Sequence, residues 1–319
     1  MNPFVHIAAG ALLCVSTGAF AAAEFDCAAL RLSGDRLPSG YSGQCATTRP
    51  IPSAGANVRV PTDIGLALDI LGNGVRPIDQ LYSFQINAFP AQTLRAAISN
   101  TLFGIDFSPD GGTLYGVSAE FDPNFPRWLG TIPQPNGNFT PIAALTGLVP
   151  NETINGFAVD PRSGVAYLSG SIGAPMAAHL YSVDLVTAAA TLIGTMSTAN
   201  DPSGNIMIAL AINCEGALYA HNLTDDSLYL IDRSTAATTL IGTHGFNSNF
   251  AQGMDFDNTD GQLYAFMMQT NGENLFGRID TTTGAFTTLA NNDPPGEYEG
   301  AFPGVCPPIP VLFGDGFED

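Results

Sequence analysis

Two carboxylates occupy matching places in the sequence. Asp106 lies two residues after Gly104 in FGIDFSPDGG, and Asp255 lies two residues after Gly253 in QGMDFDNTDG. Period-two alternation puts each carboxylate on the same side as its glycine, with Ala158, Ala211 and Phe302 at the aligned places. If that side faces a shared channel, the pair could hold a cation or orient a polar ligand, so Asp106 and Asp255 are the candidate ligand-binding residues. The plainer alternative is two hydrated carboxylates with no ligand. Asp160, Asn213, Asp257 and Ser108 recur at one turn position, where such side chains accept backbone N–H groups. The repeated Tyr115, Tyr167, Tyr219 and Tyr264 read as packing between sheets rather than a sugar-stacking surface.

Other chemistries are excluded by what is missing. All ten basic residues are Arg, so there is no P-loop lysine, no Schiff-base lysine and no lysine base. No CxxCH, HExxH, GxSxG or GxGxxG pattern occurs, and no cofactor is expected. The histidines, His6, His179, His221 and His244, share no ligand spacing, and CxxC is absent, so neither a metal site nor a catalytic residue is assigned. His221 falls where other repeats carry Val117, Ser169 and Phe266.

These residues sit in a repeat. FGIDFSPDGGTLYG (103–116), NGFAVDPRSGVAYLSG (155–170), IALAINCEGALYA (208–220) and QGMDFDNTDGQLYAF (252–266) share a glycine, alternating apolar residues, a polar turn and an aromatic strand. A second half-motif follows in LYSVDLVTAAATLIGT, LYLIDRSTAATTLIGT and LFGRIDTTTGAFTTLA, with Asp184, Asp232 and Asp280 spaced 48 and 48 residues apart. An isolated copy of that half stands at LYSFQINAFPAQTLRAAI (81–98). Four short strands in roughly 40–50 residues make one propeller blade. YEGAFPG (298–304) matches the first strand of a repeat that nothing completes, and the missing remainder lies near the N-terminus.

The expected fold is therefore all-β: a single five-bladed β-propeller over 58–305, closed by pairing of the C-terminal strand with the N-terminal partial blade. Six blades is the alternative, should 45–62 supply further strands. Residues 24–57 form an N-terminal extension and 306–319 a Pro-led tail. Through GIDFSPDGGTLYG and the LYxID…TTLIGT segments the chain resembles exported bacterial β-propellers of the YVTN-like type. It is similar in particular to secreted domains of unknown function that carry GIDFxP…LYG repeats, over about residues 80–290. The tail LFGDGFED resembles the F-x-DGF-E ending of exported proteins of Xanthomonas-like gammaproteobacteria. The resemblance implies a scaffold fold and no particular chemistry.

Residues 1–23 read as a cleaved secretory signal: an apolar run without acidic residues, closing on Ala19-Phe20-Ala21 and Ala21-Ala22-Ala23. Cys27, Cys45, Cys214 and Cys306 then remain, an even number that favours two disulfides in an exported chain. Of the three possible pairings, Cys27–Cys45 with Cys214–Cys306 is favoured because the first closes a short loop. No further apolar run is long enough to span a membrane, so the mature chain is expected to lack a transmembrane segment. A formal net charge of −19 argues against a nucleic-acid partner. The sequence thus points to an exported, extracellular or periplasmic monomer that binds a protein, a glycan or a small ligand without catalysis. The alternatives are a hydrolase or lyase working on a polymer through channel-mouth carboxylates, and a purely structural surface protein.

Overall fold

The computed structural model describes residues 64–70, 79–134, 137–173, 176–198, 204–249, 253–270, 273–292 and 297–308. The expected signal peptide, the 24–57 extension with its Cys27–Cys45 bridge, and residues 309–319 of the tail lie outside them. The described chain forms five four-stranded antiparallel sheets.

Four sheets follow chain order. Blade 1 is β4 (Leu102–Phe107), β5 (Leu114–Ser118), β6 (Trp128–Ile132) and β7 (Thr140–Ala144). Blade 2 is β8 (Thr153–Val159), β9 (Ala166–Ile172), β10 (Ala177–Val183) and β11 (Ala190–Met196). Blade 3 is β12 (Met207–Ile212), β13 (Leu218–Asn222), β14 (Ser227–Ile231) and β15 (Thr238–Thr243). Blade 4 is β16 (Gly253–Asp257), β17 (Gln262–Met268), β18 (Asn274–Ile279) and β19 (Phe286–Asn292). The fifth sheet is composite. Its first strand is β20 (Glu297–Ala301), followed by β1 (Ile64–Ile70), β2 (Asp79–Gln85) and β3 (Gln92–Ile98). Leu66 pairs with Ala301 and Ile70 with Glu297. The five blades and the closing strand are those the repeat predicts.

The first strands touch in a ring, β4 to β8 to β12 to β16 to β20 and back to β4. Five apolar clusters fill the five seams, because the alternating side chains of each sheet face a neighbour on both sides. The seam between blades 4 and 5 is the most aromatic, with Phe84, Phe89, Tyr264, Phe266, Phe276, Tyr298 and Phe302. Phe89 and Phe276 have ring centroids 4.7 Å apart, and Phe266 stacks on Tyr298 at 5.4 Å. Near the axis the strands approach so closely that a Cβ on Gly253 would lie 2.6 Å from Glu299 Cα, and one on Gly104 2.6 Å from Phe157 Cβ. Each outer strand carries a bulge at one matching place, opposite the steps Leu81/Tyr82, Leu129/Gly130, Leu180/Tyr181, Leu228/Tyr229 and Phe276/Gly277. Bulges there twist the exposed edges away from further pairing.

After β20 the chain has no second strand to turn into, since β1 already fills that place. It crosses the end of the ring where first strands turn into second strands. A Cβ on Gly111 of blade 1 would meet the Pro303 carbonyl at 2.6 Å. Asn258 of blade 4 donates from Nδ2 to the Gly304 carbonyl at 3.4 Å. Cys306 is disulfide-bonded to Cys214 of blade 3, and Arg162 of blade 2 donates from Nη2 to the Pro307 carbonyl at 3.0 Å. Residues 303–307 therefore touch every other blade and lie across the axis.

The disulfide joins residues 92 positions apart. A loop of that size implies about 4.6 kcal/mol of unfolded-state restriction. Cys306→Ser is expected to lower the unfolding free energy by about that amount in urea titrations under oxidising conditions. An unchanged midpoint would show that the other contacts of the crossing segment hold it alone.

Candidate functional site

The repeat places Asp106 near the end of β4 and Asp255 at the centre of β16. Both carboxylates lie in seams between first strands. The Phe107 N–H donates to Asp106 Oδ1 at 2.6 Å, and the Val159 N–H of β8 donates to Oδ2 at 2.6 Å. The Phe256 N–H donates to Asp255 Oδ1 at 2.7 Å, and the Phe302 N–H, just past β20, to Oδ2 at 2.8 Å. First strands pair on one side only, so their axis-side amides need other acceptors. Each aspartate therefore ties its blade to the next, blade 1 to blade 2 and blade 4 to blade 5.

Both carboxyls are buried, and burial is the main cause of their raised pKa values. Asp106 is pushed up to about 7, with the two backbone N–H bonds opposing the shift. Asp255 is raised well above its usual value by burial first and then by the charge of Asp106. The two seams thus feel each other through the axis of the ring. On the closing blade, burial also raises Glu299 well above its ordinary value. Burial and then Asp69 bring Glu297 to about 7.

A second group escaped the sequence reading. Glu152 lies just before β8 and is fully buried. His179 Nδ1 stands 2.9 Å from its Oε1, and the Tyr181 hydroxyl donates to its Oε2 at 2.9 Å. Gly170 opposite makes the room, since a Cβ there would fall 2.5 Å from Glu152 Cγ. Arg127 of blade 1 holds the Glu152 carbonyl from Nε and Nη2 at 3.0 and 2.7 Å. The acceptor for Nδ1 orients an imidazole whose side chain keeps 12% exposure. The only signal for it was the cross-strand pairing of His179 with Gly170, which the repeat makes readable; the place of Glu152 in a connection is not.

The remaining predicted positions have structural roles. Asp160 Oδ1 accepts from Arg162 N and Ser163 N, Asn213 Oδ1 from Glu215 N and Ala217 N, Asp257 Oδ1 from Thr259 N, and Ser108 Oγ from Thr113 N. Asp160 also pairs with Arg233 Nη1 at 2.6 Å, joining blades 2 and 3. Tyr115, Tyr167 and Tyr264 are buried in the seams. A hollow between β2 and β3 is lined by Ser83, Gln85, Gln92 and Arg95, but Arg95 is already bonded to Ser83 Oγ at 2.6 Å, so it offers no convergent chemistry. Among the described residues no helix is long and apolar enough to cross a membrane.

The sequence matches no protein family and no curated protein. Solved structures share its outline. A chain of the nidogen/laminin complex aligns with a TM-score of 0.46 and 9% identity, covering 75% of this chain and 97% of that one. TolB from Acinetobacter baumannii gives 0.47 and 12%, covering 76% and 67%. Regucalcin from Agrobacterium tumefaciens, titled a calcium-binding protein, gives 0.41 and 16%, covering 68% of each. At such scores and identities these likenesses lend the chain no activity.

Two outcomes follow from this geometry. A carboxyl whose folded pKa is raised binds its proton more tightly when folded, so its stabilising effect is complete at low pH. That effect is lost as pH rises from 3.8 through about 7. Unfolding free energy should fall across that window, and Asp106→Asn should flatten the slope. At the acid end of that window the same variant should cost about 1–3 kcal/mol, because one buried N–H then faces an amide NH2, and the gap should narrow or reverse as pH rises through about 7. Glu152→Ala strands the Tyr181 hydroxyl and the His179 ring, so a loss of about 2–4 kcal/mol is expected in denaturant titrations.

Proposed function

We propose that this protein is a non-enzymatic binding scaffold of an exported compartment, taking a small cation or donor-rich ligand at the axis between Asp106 and Asp255. The observation that carries this reading is the pairing of those two carboxyls. They lie in different seams, they act on one another electrostatically, and each has spent only one acceptor position per oxygen on the backbone. A cation there would replace a proton held by the pair, so binding would strengthen as pH rises toward and past about 7. Residues 303–307 cover the turn end of the ring, so the ligand enters from the end at which the first strands begin. Export is supported by the Cys214–Cys306 bridge, since such bonds persist in oxidising compartments.

A second reading, a hydrolase or lyase, draws on the oriented His179 imidazole. Among the described residues no hydroxyl or thiol is bonded to that ring, which leaves it without a nucleophile to activate.

The test is native mass spectrometry of wild-type protein from its exported fraction beside the Asp106→Asn/Asp255→Asn double variant. A retained mass that vanishes on denaturation and is missing from the folded variant supports the reading. Equal retained mass in both, or none in either with sodium, magnesium and calcium supplied in turn, makes the two aspartates clamps between blades and nothing more.

A further inference from the structure

His221 and His244 break the repeat at two neighbouring places. His221 is on β13, and His244 follows β15, its N–H donating to the Asp226 carbonyl at 2.9 Å. Strand register carries the same two places into the other blades. Blade 1 has Val117 and Leu145, blade 2 has Ser169 and Met196, and blade 4 has Phe266 and Asn292. Blade 3 alone fills both with imidazole.

The two rings are buried, with exposures of 0% and 3%, and their centroids are 4.7 Å apart at 80°. His244 Nδ1 lies 2.9 Å from the Gly284 carbonyl and so must carry the hydrogen, which leaves Nε2 with a free lone pair. That Nε2 has no hydrogen-bond partner, and neither does either nitrogen of His221. The Ser248 hydroxyl is also buried and unmet, on a residue whose N–H is tied to the same Asp226. Three buried ring nitrogens without partners on two touching side chains are a strong departure from ordinary interiors, where such groups are nearly always paired.

We propose that His221 and His244 form a buried site for one borderline transition-metal ion of the zinc or copper class. A ring nitrogen binds such an ion at about 2.0–2.1 Å, so two imidazoles meeting it at a tetrahedral angle have centroids about 5 Å apart. The observed 4.7 Å fits that arrangement. The hydrogen bond from His244 Nδ1 to Gly284 is the kind of outer contact that fixes a ligating imidazole in one tautomer and orientation. Asp225 and Asp226 supply negative charge beside His244. Among the described residues no third His, Cys, Asp or Glu joins the pair, so the remaining positions fall to water. The sequence assigned no metal here because the two histidines stand in no ligand motif; their adjacency arises from strand pairing.

The variants come from the repeat itself. His221→Val and His244→Leu restore the residues of blade 1 and should leave the fold intact by circular dichroism. Full-length protein refolded with zinc, and separately with cobalt or copper(I), is freed of excess metal and analysed by mass spectrometry of the elements. One equivalent in the wild type, a raised melting temperature and a tetrahedral cobalt absorption band are expected. All three should be lost in either variant and kept in His179→Gln. A folded wild type that retains no metal, or an equivalent that survives in both variants, overturns the site and leaves an edge-to-face pair of neutral rings.

Discussion

The pairing of β20 with β1 is the constraint on which the rest depends. It joins the two ends of the described chain, so its closure carries the largest loop entropy of any strand pairing in the ring. Without it, β1 and β20 would each present an unpaired edge, and the aromatic faces of blades 4 and 5 would lie in water. Three further interactions converge on the same strand. The rings of Phe266 and Tyr298 stack across the seam, Asp255 holds the Phe302 amide, and the Cys214–Cys306 bond anchors the segment that follows. Apolar area, a buried carboxyl acceptor and a covalent tie on the closing strand are a physical answer to a closure of high contact order.

The same closure explains why carboxyls are buried in a chain of net charge −19. The first strands come so near the axis that glycines are needed at Gly104 and Gly253, and the space left beside them admits a short acceptor but little water. An aspartate there gains two amide donors and loses its hydration. Burial outweighs the donors, and the balance moves the pair toward the protonated form. A binding role and a clamping role therefore draw on the same atoms: the oxygens that hold neighbouring blades together are those that would face a ligand.

The polar groups that remain divide by end of the ring. At the turn end, Asp160, Asn213, Asp257 and Ser108 are consumed by the turns and residues 303–307 cover the axis. At the other end, Glu152 with His179, His221 with His244, and Glu297 with Glu299 are gathered beside strand ends and connections. The connections between blades lie at that end and their sequences are free of the repeat; Glu152 and His244 stand beside them, whereas His179, His221, Glu297 and Glu299 are strand residues.

The sequence by itself determined the blade repeat, its turns and the closing strand, and left the count at five with six as the alternative. Those features are local or periodic: alternation sets strand faces, Asp, Asn and Gly set the turns, and a lone first-strand motif at the end requires a partner at the start. It also placed Asp106 and Asp255 on the glycine side of their strands. Only the tertiary structure decided what that side meets. The donors Val159 and Phe302 belong to other blades, and their position depends on how tightly neighbouring first strands pack. Glu152 and His179, Arg162 and Pro307, and His221 and His244 likewise come from segments with no fixed spacing. Their meeting is settled by register between strands and by packing between sheets, which a one-dimensional repeat does not encode.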